Sequence, residues 1–343
     1  MHADKTDTKK LQPALQDRLR ELRFLCQSIF AIFCLFVGWQ FYSFYLWALN
    51  PATTNFVQRP PAVEAFLPLG ALVSIKRLLL GAEFDTIHPA GLTIFIAALL
   101  MGLFLRKGFC GWICPIGFAS NLAERASKKM KVLFRLPAWI DIPMLSLKYM
   151  LLGFFGYLIL WKMGLKSLTD FHRSSYNVIS DAKMLHFFLE PSVLAGSIML
   201  GIILFSFIFR NFWCRYLCPY GGLLGILALA SPFQIKRKSK TCIDCKKCED
   251  ICPASIKITH RNTVRNTECI GCLECVEVCP VTDCLSLSVP GKKEISPILL
   301  PTSVLGLFFT CYIIAKITGH WNSVVPLEVF QRYYQMINEI GHP

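Results

Sequence analysis

Two short cysteine motifs recur about a hundred residues apart in this chain. The first reads CGWICPIG, from Cys110 to Gly117, and the second reads CRYLCPYG, from Cys214 to Gly221. Both have the spacing C-x-x-x-C-P, which places two thiols one turn apart on the same face of a helix. Thiolates bind metals and carry redox chemistry, but one pair cannot complete a four-coordinate site. Two copies of the motif can therefore be expected to share a centre.

A second cysteine repeat lies further along the chain. Residues 242–253 read CIDCKKCEDICP, and residues 269–280 read CIGCLECVEVCP. Each copy has the spacing C-x2-C-x2-C-x3-C-P, in which three cysteines bind one iron–sulfur cluster and the fourth binds a neighbouring cluster. Zinc is the alternative ligand, but zinc sites normally use two well-separated C-x2-C pairs without the trailing Cys-Pro. The two runs predict two [4Fe–4S] clusters, as in bacterial two-cluster ferredoxins.

The spacing also assigns the ligands of these clusters. The predicted ligands are Cys242, Cys245, Cys248 and Cys279 for cluster 1, and Cys269, Cys272, Cys275 and Cys252 for cluster 2. Cys284 follows the second run and is interpreted as a buried spare thiol.

The C-x-x-x-C-P motifs have the same spacing as the C-x3-C-P that ends each ferredoxin run. If they meet, Cys110, Cys114, Cys214 and Cys218 can hold a third iron–sulfur cluster. Glycines within and beside the motifs would allow close backbone approach; they are Gly108, Gly111, Gly117, Gly221 and Gly222. Nearby cations would balance the thiolates; they are Arg106, Lys107, Arg210 and Arg215. A dithiol redox pair in each motif, transient copper binding and purely structural cysteines remain open alternatives.

The composition indicates a membrane protein in a reducing compartment. Of 343 residues, 54% are hydrophobic and only 17% are charged, whereas soluble domains are about 25% charged. The 16 cysteines are mostly grouped at short, fixed spacings, and no cleavable signal peptide is visible. This pattern favours metal ligation over a secreted disulfide framework.

Five apolar stretches are candidates for transmembrane helices, since a helix needs roughly 20 apolar residues to cross a bilayer. They are Phe24–Leu49, Ala90–Leu105, Leu145–Trp161, Pro191–Phe209 and Ile298–Ile317. A sixth stretch, Pro61–Leu80, contains Glu64, Lys76 and Arg77 and is predicted to be interfacial or re-entrant.

The distribution of basic residues predicts the orientation of the chain. Residues 1–23, 106–141 and 210–296 contain 26 of the 36 lysines and arginines. Cytoplasmic segments are enriched in these residues, so both motifs and both runs are assigned to the cytoplasm and the C-terminus to the periplasm. The net charge of +14 then reflects topology. Nucleic-acid binding is not expected.

The predicted fold class is a membrane all-α protein with about five transmembrane helices. A small α+β two-cluster ferredoxin domain is inserted before the last helix. The predicted domains are a cytoplasmic segment at 1–23, a four-span membrane domain at 24–235, the ferredoxin domain at 236–293, and a final helix with an amphipathic tail at 294–343.

Four residues on the predicted outer side are candidates for a quinol site. Oxidation of quinol requires proton acceptors beside an apolar slot, and Glu83, His88, His186 and Glu190 flank the second and fourth spans. A solvated loop is the alternative interpretation. Lys148 lies inside a span and is either functional or extended to the membrane surface.

The motifs CGWICPIG and CRYLCPYG, followed by two ferredoxin runs, resemble the NapH-type membrane polyferredoxins and the C-terminal half of NosR-type proteins. The FixG/CcoG assembly proteins are similar more distantly. The resemblance covers about residues 90–290. The large flavin-binding domain of the NosR type and the C-terminal sandwich domain of the FixG type are not seen. The resemblance implies electron transfer in a respiratory chain, usually between quinol and a periplasmic acceptor.

Together these observations predict a multi-pass subunit of a bacterial inner membrane that transfers electrons. Its expected partners are membrane lipid and other redox subunits, such as a periplasmic cytochrome or reductase, or a cytoplasmic ferredoxin-like donor. A further expectation is participation in a quinol dehydrogenase, with quinone as an additional cofactor. The alternative function is an assembly factor that reduces or delivers copper for an oxidase or reductase.

Overall fold

Helices dominate the computed structural model, which describes residues 18–291 and 294–341. Most of the predicted cytoplasmic segment 1–23 therefore lies outside the described residues. The helices in chain order are α1 (Leu19–Leu49), α2 (Pro68–Leu79), α3 (Pro89–Phe104), α4 (Pro115–Met130), α5 (Ala138–Gly156), α6 (Leu165–Arg173), α7 (Ser175–Val178), α8 (Ser180–Leu189), α9 (Val193–Ile208), α10 (Pro219–Leu227), α11 (Lys247–Ile251), α12 (Glu274–Glu277), α13 (Leu299–Ile317) and α14 (Leu327–Gln335).

Helices occupy all five predicted spans, but they differ in length. Within the described residues, Leu19–Leu49, Trp139–Lys162 and Leu299–Ile317 are long and apolar enough to cross a membrane. Helices α8 and α9 form a fourth span only if they are counted together, and they meet at an angle of 80°. Helix α3 has 16 residues, or about 24 Å at 1.5 Å per residue, which is less than a bilayer core. The structure thus supports three or four spans, and the count of five stays a prediction.

The long helices expose apolar side chains. Helix α9 has no buried residue, and Val193 and Leu194 are 92% and 71% exposed. Trp161 and Ile317, at the ends of two other candidate spans, are both 81% exposed. Large apolar surfaces of this kind are unfavourable in water and favourable in lipid.

The chain divides into two compact units. Unit 1 comprises residues 1–31, 98–149 and 204–307, and unit 2 comprises residues 32–97, 150–203 and 308–343. All twelve predicted cluster ligands belong to unit 1, whereas the four quinol-site candidates belong to unit 2.

The ferredoxin region in unit 1 contains a three-stranded antiparallel sheet. Its strands are β1 (Gln234–Arg237), β2 (Thr263–Val264) and β3 (Leu285–Ser288), in the order β2-β1-β3. The short helices α11 and α12 contain the middle of each cysteine run. This is the small α+β arrangement that the sequence predicted, and β1 begins two residues before the expected boundary at 236.

Unit 2 has an apolar core of its own. Phe41, Phe44 and Tyr45 of α1 pack with Phe330 and Tyr334 of α14 in this core. The apolar face of the tail helix is therefore covered inside unit 2.

Candidate iron–sulfur sites

The two C-x-x-x-C-P motifs adopt the same local structure. Residues Phe109–Ile113 and Trp213–Leu217 each form a single π-helical turn. Each turn ends at the second cysteine, and Cys114 and Cys218 are the N-caps of α4 and α10. The following proline occupies the first helical position, where its missing N–H has no intrahelical partner to lose. Each motif therefore presents a thiol at the positive end of a helix, which favours a thiolate.

A left-handed residue precedes each π turn. Arg106 has φ of 62° and Asn211 has φ of 48°. Arg106 lies two positions after the end of α3, and Asn211 lies three positions after the end of α9. The sequence repeat is thus also a repeat of backbone geometry, with helix, left-handed residue, π turn and Cys-Pro helix in the same order.

The structure brings the four thiols of the two motifs together. Loss of hydration raises the pKa of Cys114 well above its ordinary value, and the thiolates of Cys110, Cys214 and Cys218 act in the same direction. The pKa of Cys110 is raised to about 12 by the same loss of hydration, although Lys107 opposes it. Thiols affect the pKa of one another in this way only where their sulfurs lie near each other in a weakly hydrated region.

Hydrogen bonds support the thiolate form of these cysteines. The amide of Gly221 donates to Cys218 Sγ at 3.2 Å. The hydroxyl of Ser120 lies 3.4 Å from Cys214 Sγ. Donors of this kind tune iron–sulfur centres and their potentials.

The four predicted cations have different roles. Lys107 is buried and lowers the pKa of Cys110 and Cys214, as expected. The three arginines instead bind the ferredoxin region. Arg106 donates to the carbonyl oxygen of Val264 at 3.0 Å. The prediction that all four balance the thiolates is thus supported directly for Lys107.

Residues before and within the second motif bind the end of the first ferredoxin run. Arg210 donates to the carbonyl oxygen of Cys252 at 2.7 Å, and Asn211 donates to that of Pro253 at 3.0 Å. Arg215 hydrogen-bonds the carbonyl of Ala254 and forms an ion pair with Asp141 at 2.7 Å. These side chains set the position of Cys252, a predicted ligand of cluster 2.

The first motif packs directly on the second ferredoxin run. A Cβ atom on Gly111 would lie 2.4 Å from the carbonyl oxygen of Ile270, so only glycine fits here. The indole of Trp112 donates to the carbonyl oxygen of Gly271 at 3.1 Å, and its side chain is fully buried. Both motifs therefore contact the backbone that carries the predicted ligands of cluster 2.

The two ferredoxin runs share their backbone conformation. Asp244 and Gly271 occupy equivalent positions and have φ of 50° and 64°. Lys246 and Leu273, two residues later, have φ of 57° and 63°. Left-handed residues in turns direct consecutive amide groups towards one side, which is a common way to surround an anionic centre.

The predicted ligands of cluster 1 line one cavity. Its wall includes Cys242, Cys245, Cys248 and Cys279. Cys284 lines the same cavity and is 2% exposed, with a pKa that loss of hydration raises to about 12. The spare thiol expected from sequence thus lies beside the predicted ligands of cluster 1.

The predicted ligands of cluster 2 also lie together. Loss of hydration raises the pKa of Cys275 well above its ordinary value, and the thiolates of Cys272, Cys252 and Cys269 act in the same direction. Cys248 of the other set follows with a smaller effect, which places the two sets near each other.

Both cysteine sets and the motif thiols fit multi-iron centres. The donors are thiolate sulfurs supported by amides and cations, as iron–sulfur clusters require. Among residues 18–291 and 294–341, no three His, Cys, Asp or Glu side chains are arranged around the position of a single ion.

Exposure separates the two ferredoxin runs. Cys245, Lys246 and Lys247 in the first run are exposed, whereas Cys272 and Leu273 in the second run are buried. The start of the first run is thus at the surface of unit 1, whereas its end and the second run contact the region of the C-x-x-x-C-P motifs.

Sequence reasoning missed Arg23. Its side chain is 3% exposed, its Nε donates to the carbonyl oxygen of Gly111 at 2.9 Å, and its guanidinium pairs with Glu274 of the second run. Arg23 appeared in the sequence only as one positive charge before the first span. Its link to the cysteine motifs has no local signal, because the contact joins residues about 90 and 250 positions apart.

Lys148 is a buried partner of the ferredoxin region. Its ammonium lies 2.5 Å from Glu268 Oε2, and the lysine side chain is fully buried. Lys148 therefore does not extend to a membrane surface, and the alternative that it simply snorkels is wrong.

The four quinol-site candidates in unit 2 differ in their surroundings. Glu83 is exposed. His186 Nε2 lies 3.8 Å from Glu190 Oε2, and the Glu190 side chain is 74% exposed. His88 is buried, and its Nε2 lies 2.7 Å from the carbonyl oxygen of Asn177. The described contacts do not join these four residues into one site.

A different set of ionisable residues surrounds His88. Arg59 binds Glu64 at 2.8 Å and Asp181 at 2.6 Å, and His88 Nδ1 lies 3.6 Å from Glu64. Tyr334 donates to Asp181 at 2.9 Å. All five side chains are buried. Sequence reasoning missed this network because Asp181 lies 122 positions from Arg59, and Tyr334 lies 153 positions from Asp181.

Comparison with known proteins agrees with the cysteine geometry. Residues 87–132 and 192–240 match the family model described as a 4Fe-4S binding domain, and residues 234–280 match that of a 4Fe-4S dicluster domain. The first match contains both C-x-x-x-C-P motifs, and the second contains both ferredoxin runs.

Several curated proteins are similar to the chain. Putative electron transport protein YccM of Escherichia coli (strain K12) is 36% identical over 298 residues, which are 85% of this chain and 83% of that protein. Regulatory protein NosR of Pseudomonas aeruginosa is 32% identical over 162 residues, 46% of this chain and 21% of NosR. Ferredoxin-type protein NapH of Haemophilus influenzae is 27% identical over 170 residues, 48% of this chain and 55% of NapH. No solved structure matches the chain.

Proposed function

Because the chain belongs to the NapH/NosR-type polyferredoxin family, we propose that it is a membrane-bound subunit that relays electrons between a donor and a respiratory partner. Electron transport by iron–sulfur proteins is the shared property of its relatives. The donor, the acceptor and the bound centres of this chain belong to the proposal.

One observation carries the proposal, namely the direct contact between the first C-x-x-x-C-P motif and the second ferredoxin run. Trp112 and Gly111 touch the backbone of Ile270 and Gly271, which lie between two predicted ligands of cluster 2. Unit 1 thus contains three sets of thiols in a spatial order. The order begins at the exposed first run, continues through the buried second run and ends at the motif thiols. When bound there, iron–sulfur clusters supply one-electron transfer.

The protein groups around these thiols hold the centres and limit their hydration. Arg210 and Arg215 hold the segment that contains Cys252, and Arg23 links the second run to the first motif. Rigid positioning keeps the donor and acceptor centres at a constant separation and lowers the reorganisation that accompanies each transfer.

The distribution of helix ends supports the proposed orientation. Unit 1 contains the first residues of α1, α5 and α13 and the last residues of α3 and α9. These are the ends that the basic residues assign to the cytoplasm. The proposed location is therefore a bacterial inner membrane, with the ferredoxin region in the cytoplasm and the C-terminus in the periplasm.

The exposed first run is suited to receive an acidic electron carrier. Lys246 and Lys247 flank Cys245, and all three are exposed. Lys238 is also exposed, whereas Lys236 and Arg237 are partly buried in β1. Complementary charge increases the rate of association of redox partners. A soluble donor of ferredoxin type would act here.

Metal content and spectroscopy test the central proposal. Anaerobically purified full-length protein should contain about twelve iron and twelve sulfide ions, since each of three [4Fe–4S] clusters contributes four of each. The low-temperature electron paramagnetic resonance (EPR) spectrum of the reduced protein should show three interacting centres. Zinc with little iron would contradict the proposal.

The donor is tested separately in membranes. If quinol is the donor, a reduced quinol analogue should reduce the clusters, and a substitution such as His88→Gln should slow this step because His88 lies in the buried ionisable network. Glu83→Gln is the matched control, since Glu83 is exposed. Clusters that quinol does not reduce, but that reduced soluble ferredoxin does reduce, would instead establish that electrons enter from the cytoplasm.

A further inference from the structure

The connection between α4 and α5 lies at the ends of two apolar helices in unit 1. The backbone amide of Phe134 donates a 2.8 Å hydrogen bond to the carbonyl oxygen of Ile208, the last residue of α9. The hydroxyl of Ser127 in α4 donates to the carbonyl oxygen of Phe207, also in α9. The candidate span Trp139–Lys162 begins shortly after Phe134. The connection is thus held where α9 ends and the next candidate span begins.

This connection exposes large apolar side chains. Met130, Phe134 and Trp139 are 65%, 66% and 76% exposed, and Val132 is 38% exposed. Helix α9, to which the connection is hydrogen-bonded, has no buried residue. Apolar side chains at the ends of lipid-exposed helices are stabilised at the boundary between headgroups and acyl chains, where tryptophan is enriched. The exposed side chains therefore fit a membrane surface better than water.

Exposed basic side chains alternate with these apolar ones. Residues 125–140 contain five basic residues and no acidic one. Arg135 pairs with Asp250 at 3.1 Å. Lys129 and Lys131 are exposed, and neither forms an ion pair with another described residue. Two ammonium groups are thus available to an anionic partner.

We propose that the α4–α5 connection, residues 129–139, binds the headgroups of anionic phospholipids at the membrane surface. Lys129 and Lys131 contact the lipid phosphates, and the neighbouring apolar side chains enter the boundary with the acyl chains. The inference rests on the part of the proposed function that places the chain in a membrane.

The position of the connection favours lipid over an acidic protein. A phospholipid offers a phosphate group directly beside acyl chains, so one partner accounts for both the basic and the apolar side chains. Anionic lipid attracts basic segments that adjoin a transmembrane helix, and the effect falls off within a Debye length of the surface. The hydrogen bond from Phe134 to Ile208 keeps the connection within that range at the end of α9.

Native mass spectrometry of the detergent-purified full-length protein tests the inference. The probe is phosphatidylglycerol, and phosphatidylcholine is the zwitterionic comparison. The wild type should bind phosphatidylglycerol more tightly than phosphatidylcholine. In the double variant Lys129→Gln, Lys131→Gln, the affinity for phosphatidylglycerol should fall about thirtyfold, since each lysine near an anionic lipid surface contributes about fivefold. The affinity for phosphatidylcholine should not change.

Two further double variants serve as controls. Lys129→Arg, Lys131→Arg keeps both charges and should bind like the wild type. Lys240→Gln, Lys257→Gln is the matched control, because it removes the same charge from two exposed lysines of the ferredoxin region. It should also retain the wild-type affinity. Equal losses in the two glutamine variants would show a general effect of net charge and would overturn the inference.

Competition with inorganic phosphate distinguishes a lipid surface from a simple anion site. Excess inorganic phosphate should leave phosphatidylglycerol bound, because the acyl chains also contribute to binding. Complete displacement by phosphate would overturn the proposal of a lipid surface.

Membrane fractionation separates failure of this inference from failure of the proposed function. Recovery of the wild-type protein in the soluble fraction would contradict the membrane location, and the inference would fail with it. A protein that partitions into membranes but binds phosphatidylglycerol no better than phosphatidylcholine would overturn the inference alone.

Discussion

The indole Nε1 of Trp112 donates a 3.1 Å hydrogen bond to the carbonyl oxygen of Gly271. This bond joins a C-x-x-x-C-P motif to a ferredoxin run 159 positions away in the chain. It places two cysteine systems that look independent in the sequence against one another. The contact is dry, since Trp112 and Gly271 are both buried. Dry, rigid contacts favour electron transfer because they limit reorganisation of solvent.

Gly111→Ala should loosen this contact. A Cβ atom at this position would lie 2.4 Å from the carbonyl oxygen of Ile270, and backbone cannot move aside easily. Overpacking of this kind costs about 1–3 kcal/mol. We expect the variant to lose cluster 2 and the motif centre at lower temperature than the wild type, as measured by the visible absorbance of the clusters. Gly306→Ala is the control, because no atom outside its chain neighbours and the backbone of its own helix lies within 4 Å of its Cβ position. Equal behaviour of the two variants would count against the tight contact.

Serine substitutions should show that the two motifs act as one site. Cys110→Ser and Cys214→Ser should each reduce iron from about twelve to about eight per protein, and the double variant should show the same loss. The effects are non-additive because each substitution removes a ligand of the same centre. Iron analysis and EPR spectra measure this. Independent dithiol or copper sites would leave iron near eight in all four proteins.

Cys245→Ser and Cys284→Ser should differ although both cysteines line one cavity. Cys245 is a predicted ligand of cluster 1, so its loss should remove about four iron ions. Cys284 lies outside the ligand spacing and should leave the iron content unchanged. If Cys245→Ser retained its iron and Cys284→Ser lost iron, the assignment would be reversed. Cys284 would then be the ligand and Cys245 the spare thiol.

A topology map should place residues 130 and 260 in the cytoplasm and residue 175 in the periplasm. The reason is the excess of basic residues in 106–141 and 210–296. Accessibility of single cysteines introduced at these positions to a membrane-impermeant reagent measures the orientation. Residues 130 and 260 on opposite sides would contradict the five-span arrangement.

His88 should make the stability of unit 2 depend on pH. Burial alone would lower the pKa of His88, but Glu64 outweighs it, and the pKa is raised above the ordinary value of about 6.5. Because the folded pKa exceeds the unfolded one, protonation stabilises the fold. This contribution is complete below about pH 6.5 and disappears as pH rises through the raised pKa.

Thermal unfolding in detergent between about pH 5.5 and 9 tests this expectation. His88→Gln should abolish the part of the pH dependence that is due to His88. Burial lowers the pKa of His172, so this residue contributes the opposite dependence of stability on pH. That contribution is present in both the wild type and His88→Gln. The difference between their pH profiles therefore reports His88. An identical pH profile in the variant and the wild type would contradict the prediction.

Local spacing was enough to predict the iron–sulfur chemistry. The run C-x2-C-x2-C-x3-C-P specifies its ligands within twelve residues, because three thiols must surround one cluster. The small α+β region followed from the same runs. The helices at the five apolar stretches followed from hydrophobic length, since a backbone in lipid must satisfy its own hydrogen bonds. The number of spans did not follow, because α3 is short and α8 bends sharply against α9.

Interactions between distant segments could only come from the tertiary structure. The sequence by itself determined the cysteine repeats, the apolar helices and the family, since each depends on residue type and spacing. Only the folded chain decided that Trp112 meets Gly271, that Lys148 pairs with Glu268, and that His88 lies beside Glu64 rather than Glu83. These contacts depend on how helices pack. Packing selects partners by complementary shape and charge, and the two partners come from segments too far apart in the chain to be read from a short stretch of sequence.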